Sequence, residues 1–123
     1  MNKGEWRRKI TEASENAGTY REYFDDVIDT LAEILDLRDN AREKFYASGG
    51  EPIVEHTNKA GATNIAKNPM LIVIDDLNKT ALTYWRDLGL TPAGLKRIND
   101  TAMKTEKPKK TTLEIALEQL GKD

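Results

Sequence analysis

Apolar residues fall at helical spacing over most of this chain. Between Thr19 and Ala47 they recur as Tyr20, Phe24, Val27, Leu31, Ile34, Ala41 and Phe45, in alternating steps of four and three, with Arg38 as the one interruption. That is a heptad seam, widened by Tyr23, Ile28 and Leu35. Gly18-Thr19 opens the stretch and Gly49-Gly50 closes it. Thr19, with Glu22 three residues later, has the form of a capping box. A helix over about residues 19–47 would be roughly 43 Å long at 1.5 Å per residue. A helix of that length calls for a partner of similar length.

Asn68-Pro69 starts the partner, with Asn as N-cap and Pro at the first helical position. It runs from Met70 to Leu88 and stops at Gly89. Two apolar faces are expected on it. Leu71, Ile74, Ala81, Trp85 and Leu88 form one, which would meet the long helix. Met70, Val73, Leu77 and Tyr84 form the other, which would meet a neighbouring subunit. Asn78 falls in the seam between Ile74 and Ala81, where a polar residue fixes register or oligomeric state.

The remaining segments are shorter. Glu5–Ala17 forms a helix carrying Trp6, Ile10, Ala13 and Ala17. Thr91-Pro92 opens another that continues through Leu95, Ile98, Ala102 and Met103. Lys104 to Lys110, with Pro108 inside, is a basic linker. Thr111 or Thr112 caps a last amphipathic helix with Leu113, Leu117 and Leu120 on one side and Ile115 beside them. At about nine residues that helix is marginal in isolation and suits a segment that folds on a partner. Residues 51–68 break the helical period. Pro52, Ile53, Val54 and Thr57 favour extended backbone, and Asn58-Lys59-Ala60-Gly61 is a turn cluster, so a short hairpin or an ordered loop fits there. The predicted class is all-α: a long antiparallel helical hairpin with short flanking helices, oligomerising through its outer faces. Its divisions are a basic N-terminal helix (1–18), a helical core and oligomerisation unit (19–103), and a basic linker with a partner-binding helix (104–123).

Composition narrows the chemistry. The chain has 123 residues, enough for one domain. At 33% charged and 38% hydrophobic it is polar for a lone globule, which suits burial completed by self-association. With no Cys and one His, disulfides, thiolate metal sites and multi-His sites are excluded. No apolar run approaches a membrane span, and no apolar leader follows Met1, so a cytoplasmic protein with no membrane partner is expected. His56 has no second ligand or nucleophile at useful spacing and reads as a loop histidine. Asp25-Asp26 and Asp75-Asp76 are adjacent on helices, so their carboxylates point about 100° apart and do not converge. Asp75 would pair with Lys79 four residues on. Trp85, beside Tyr84 and Arg86, reads as core before it reads as a base-stacking platform. No catalytic constellation, metal site or cofactor motif emerges, so a non-enzyme is expected.

The net charge of −2 conceals opposed blocks. Residues 1–9, with Lys3, Arg7, Arg8 and Lys9 against Glu5, carry +3. Residues 10–50 carry −6, and residues 96–110 carry +4 through Lys96, Arg97, Lys104, Lys107, Lys109 and Lys110 against Asp100 and Glu106. Such basic clusters neutralise phosphates without reading sequence. A solvated tail and face is the other reading of the same residues.

One succession of residues goes further. Thr57-Asn58-Lys59 and Gly61, then Asn68-Pro69, an amphipathic helix, and Leu88-Gly89-Leu90-Thr91-Pro92 with Leu95 and Arg97, resembles the short small terminase subunits of tailed phages. The likeness spans about residues 20–98, and its specificity lies in the order and spacing of the pieces. The resemblance implies a non-enzymatic protein of the host cytoplasm that assembles into a homo-oligomeric ring. It further implies recognition of viral double-stranded DNA at the start of packaging, and recruitment and regulation of the large terminase subunit, which holds the ATPase and nuclease. In that frame the ten basic residues named above would contact DNA. Met70, Val73, Leu77, Asn78 and Tyr84 would form the oligomer interface, and Leu113, Leu117 and Leu120 would dock on the large subunit. No helix-turn-helix signature precedes the long helix, so DNA contact would rest on phosphate and shape. The alternative is a dimeric helical DNA-binding regulator.

Overall fold

A computed structural model describes residues 1–100 and 112–121. In chain order it contains α1 (Lys3–Ala17), a 3₁₀ turn (Glu22–Phe24), α2 (Asp25–Ala47), β1 (Ile53–Thr57), β2 (Thr63–Lys67), α3 (Pro69–Asp87), α4 (Pro92–Asp100) and α5 (Thr112–Leu120). The architecture is mostly helical with a two-stranded antiparallel sheet. The all-α expectation is corrected at that sheet.

The long helix starts five residues later than the capping box predicts. Thr19 is buried and closes α1 instead: its amide donates to the Ser14 carbonyl at 2.9 Å, just after Gly18 has turned the chain at φ 74°. Glu22 lies in the 3₁₀ turn, and α2 begins with Asp25 and Asp26, whose charges suit a helix N-terminus. The Tyr20 hydroxyl donates to Asp25 Oδ1 at 2.8 Å and braces this turn.

Helix α2 lies between α1 and α3 and buries two sides, which shifts the seam. Its most buried residues are Ile28, Leu31, Ala32 and Leu35, whereas Phe24, Val27 and Ile34 flank them. Two of the residues expected only to widen the seam are therefore at its centre, because Ile10 of α1 covers one side while Ala81 and Leu88 cover the other. Residues 1–18 thus share a core with α2 and α3. Farther along, Ala41 and Phe45 pack with Ile74, Met70 and Leu71. The end of α2 meets the start of α3, and the middle of α2 meets the end of α3, so the two helices run antiparallel.

The sheet connects them. Ile53 pairs with Lys67, Glu55 with Ile65 and Thr57 with Thr63. At its tip the Asn58 side chain accepts from the amides of Ala60 and Ala62, both at 3.0 Å, and Gly61 supplies φ 84°. At its base Asn68 holds sheet and helix together. Its side-chain amide donates to the Glu51 carbonyl at 2.9 Å, its backbone amide donates to the Pro52 carbonyl at 2.9 Å, and its Oδ1 caps α3 by accepting from Met70.

The Leu-Gly-Leu-Thr-Pro block is a packed corner. Gly89 takes φ 74°, and a Cβ there would lie 2.8 Å from Ile98 Cδ1 and 2.9 Å from Thr19 Cγ2. Thr91 Oγ1 caps α4 by accepting from Gly94 N at 3.1 Å. Gly94 itself sits against the α3 backbone, where an added Cβ would run into the Arg86 carbonyl. A methyl group cannot be admitted there without moving α4 off α3. Gly94→Ala should therefore cost about 2 kcal/mol or more, by overpacking. Leu31→Ala should cost about 2–5 kcal/mol through a core cavity, and Leu37→Ala, at an exposed site, about 0.5 kcal/mol or less. Urea unfolding of the three variants checks the order.

Candidate nucleic-acid interface

The N-terminal basic residues sit on the first two turns of α1, where they fare differently. Lys3 Nζ lies 3.2 Å from Asp29 Oδ2 and Arg7 lies 3.6 Å from Asp29 Oδ1, so one carboxylate of α2 neutralises part of their charge. Lys9 stacks over the Trp6 ring at 5.2 Å. Arg8 is exposed and has no ion-pair partner among the described residues. On α4, Lys96 and Arg97 are exposed. Leu95 before them lines an apolar groove with Ala17, Leu90 and Pro92. This pair therefore sits near the C-terminal end of α1, whereas Lys3 to Lys9 occupy its N-terminal end. The structure does not merge the two clusters. Lys104, Lys107, Lys109 and Lys110 lie outside the described residues.

The residues assigned to an oligomer interface are also traceable. Met70 packs on Ala41, Phe45 and Ile74, and Tyr84 packs on the main core. Leu77 is half-buried, and Val73 is 46% exposed. Asn78 Oδ1 accepts from Arg38 Nη1 at 3.3 Å within the chain. On α5, Leu117 and Leu120 are exposed, and Leu113 lies in the same helix. Asp75 pairs with Lys79 at 3.1 Å, as the four-residue spacing predicts. His56 is exposed on β1, opposite Asn64. Among the described residues no three His, Cys, Asp or Glu side chains converge on a metal position.

A polar tie that the sequence reading did not assemble links all three long helices. Trp6 Nε1 donates to Asp39 Oδ2 at 2.7 Å, Arg38 donates to Asp39 Oδ1 at 2.9 Å, and the Met1 amine lies 3.5 Å from Asp39. The Arg38 guanidinium also lies 5.4 Å from the Trp6 ring, which Lys9 approaches at 5.2 Å. A signal for it was present: Arg38 and Asn78 each interrupt an apolar seam, and they are bonded to each other. Partial burial pushes the Asp39 carboxyl up, but the hydrogen bonds from Trp6 and Arg38 and the charges of Arg38 and the N-terminus outweigh it, leaving the group below its ordinary value.

The sequence model of one family, described as phage terminase, small subunit, matches residues 3–105. The chain belongs to that family. The match covers α1 through α4, beyond the stretch that carries the resemblance, and it places the protein in phage packaging. Phage terminase acts inside the infected host cell. No helix among the described residues is long and apolar enough to cross a membrane. Comparison with curated proteins and with solved structures finds no match. Within the family block, the packing at Gly89 and Gly94 gives Leu-Gly-Leu-Thr-Pro a structural reason independent of DNA.

The tie at Asp39 has a pH signature. Its folded-state value is lowered, so its contribution is fully present above the ordinary carboxylate value of 3.8 and is lost as pH falls below that value. Asp39→Asn should reduce stability at pH 7 by about 2 kcal/mol, the scale of a hydrogen bond to a charged group. It should also flatten the acid limb of the stability curve. Chemical unfolding at pH 7 and below pH 4 measures both.

Proposed function

We propose that this small-subunit protein is a non-enzymatic adaptor that assembles into a ring, recognises viral double-stranded DNA at the start of packaging, and recruits and regulates the large terminase subunit. The observation that carries the reading is the family match over residues 3–105. Two features of the chain support it. Its acidic stretch, residues 10–50, contains the second half of α1 and all of α2, while Arg8, Lys9, Lys96 and Arg97 stand exposed toward the two ends of α1. Repeated in every subunit of a ring, these groups become bands of positive charge that follow a phosphate backbone without reading bases.

In this reading residues 1–18 supply one DNA-contacting band. Residues 19–103 build the ring through the flank of Met70, Val73, Leu77, Asn78 and Tyr84, with Val73 its most accessible apolar member. A repeated heterologous contact of this kind closes when its rotation allows. Residues 104–123 add Lys104, Lys107, Lys109 and Lys110 to DNA contact and present Leu113, Leu117 and Leu120 to the large subunit.

DNA affinity as a function of salt separates these roles. Reversing Arg8 and Lys9 together should weaken binding at least tenfold at low salt and reduce the salt slope by about two. Neutralising Lys3 and Arg7 should do less, because Asp29 already offsets their charge. An unchanged slope in every basic variant would overturn the DNA assignment. Native mass spectrometry at micromolar concentration should give a single species of many subunits. A monomer would overturn the ring, and a dimer would favour the DNA-binding regulator.

A further inference from the structure

The sheet between α2 and α3 is unfinished. It has two strands of five residues, and neither outer edge is paired among the described residues. Nearly all of it faces solvent, with only Val54 half-buried, while Ile53 is 59% and Ile65 72% exposed. Two-stranded sheets are marginal in water unless a third strand or a packed face supports them. Open edges are normally blunted by proline, a bulge, short strands or charged side chains, Lys above all; here the five-residue length and the single charges of Glu55 and Lys67 are the devices present. Neither strand contains proline, and the pairing runs unbroken from Ile53–Lys67 to Thr57–Thr63 without a bulge. The base, in contrast, is fixed by the three hydrogen bonds of Asn68, so the sheet is held at the junction of α2 and α3.

The charges on the two edges differ in sign. Glu55 is the only charged residue of β1 and Lys67 the only one of β2. Neither has an ion-pair partner among the described residues. Both share a sheet face with Ile53 and Ile65, because the register sets Ile53 against Lys67 and Glu55 against Ile65. Two β1 edges brought together antiparallel and centred on Glu55 would oppose like charges, which is destabilising. Two β2 edges would leave both β1 edges open. Joining β1 of one copy to β2 of another uses both edges of every chain and opposes Glu55 to Lys67.

We propose that β1 of one subunit pairs antiparallel with β2 of the next subunit, with Glu55 opposite Lys67, so that the hairpins of an assembly form one continuous sheet. This register is shifted two residues from the intrachain one. It keeps each residue on its face and sets Thr57 opposite Ile65. Continued around a closed ring it removes every sheet edge. The proposal rests on the ring reading and adds an interface separate from the helical flank at Val73 and Leu77.

The chain has no cysteine, so two single-cysteine variants test the pairing directly. Glu55→Cys and Lys67→Cys are co-assembled, oxidised mildly and resolved without reductant, with each variant alone as control. Directly opposed strand residues lie within disulfide reach. The expected result is disulfide-linked pairs in the mixture and essentially none in either variant alone. Cross-linking of Glu55→Cys with itself, or of Lys67→Cys with itself, would overturn the β1–β2 assignment. Native mass spectrometry of the same samples separates the two readings. A full ring without mixed disulfides overturns the hairpin interface and leaves the ring standing; a monomer overturns both. As a second measurement, Glu55→Lys should weaken assembly by up to about fivefold per contact, and adding Lys67→Glu should restore it. Failure of the double variant to recover, with helical content unchanged, would also count against the pairing.

Discussion

The burial of α2 on two sides is what the remaining structure depends on. A single helix contributes Ile28, Leu31, Ala32 and Leu35 to a core that Ile10 closes from one side and Ala81 and Leu88 from the other. Each buried aliphatic side chain contributes about 1.5–3 kcal/mol relative to exposure. Neither α1 nor α3 can find that burial elsewhere in a chain this short. The arrangement also explains why polar groups are tolerated inside the bundle. Arg38 is held part-buried at the bundle because Asp39 and Asn78 accept from it and the Trp6 ring lies near its guanidinium. A buried charge without such partners would cost several kcal/mol.

Connections between helices reinforce the same core. Thr19 closes α1 and then packs against Gly89, so the α1–α2 link and the α3–α4 corner hold each other in place. Gly94 lets α4 approach the end of α3 closely enough to fix the direction in which Lys96 and Arg97 leave the bundle. At the opposite end, Asn68 links the sheet to the first turn of α3. The family block therefore combines a core leucine, a left-handed glycine, a helix cap and a glycine at a helix crossing. Each of these is a packing requirement, and together they set where the exposed charges stand.

Those charges divide into two kinds. Lys3 and Arg7 turn onto Asp29 and help to dock α1, while Arg8 and Lys96 are exposed and unpaired among the described residues. Phosphate binding depends on cations that remain hydrated and accessible in the free protein, because their counterions and those of DNA are released together. Docking of α1 and the proposed DNA contact thus draw on different members of one basic segment. A chain that docks α1 through some basic residues and displays others keeps α1 in place without losing its positive face, as the proposed adaptor requires.

Much of the helical architecture was legible from one sequence. Spacing located α1, α3 and the start of α4. The Asn68-Pro69 cap and the Gly89 stop held to the residue, because caps are local chemistry of a few adjacent groups. The apolar stripe of α2 was also visible. Which of its residues would be central was not, since that depends on a helix from each side, and a one-dimensional pattern carries only the period. The same limit applies to the start of α2: Thr19 and Glu22 had the form of a capping box, but Thr19 is committed to closing α1 and packing on Gly89. Likewise the basic residues could be counted along the chain, whereas their pairing with Asp29 required the folded distance between α1 and α2. The sequence by itself determined the elements and their caps, which are governed by neighbours within a few residues. Only the tertiary structure decided the core line of α2, the tie through Asp39 and which cations of α1 pair with Asp29, because each depends on groups brought together from distant parts of the chain.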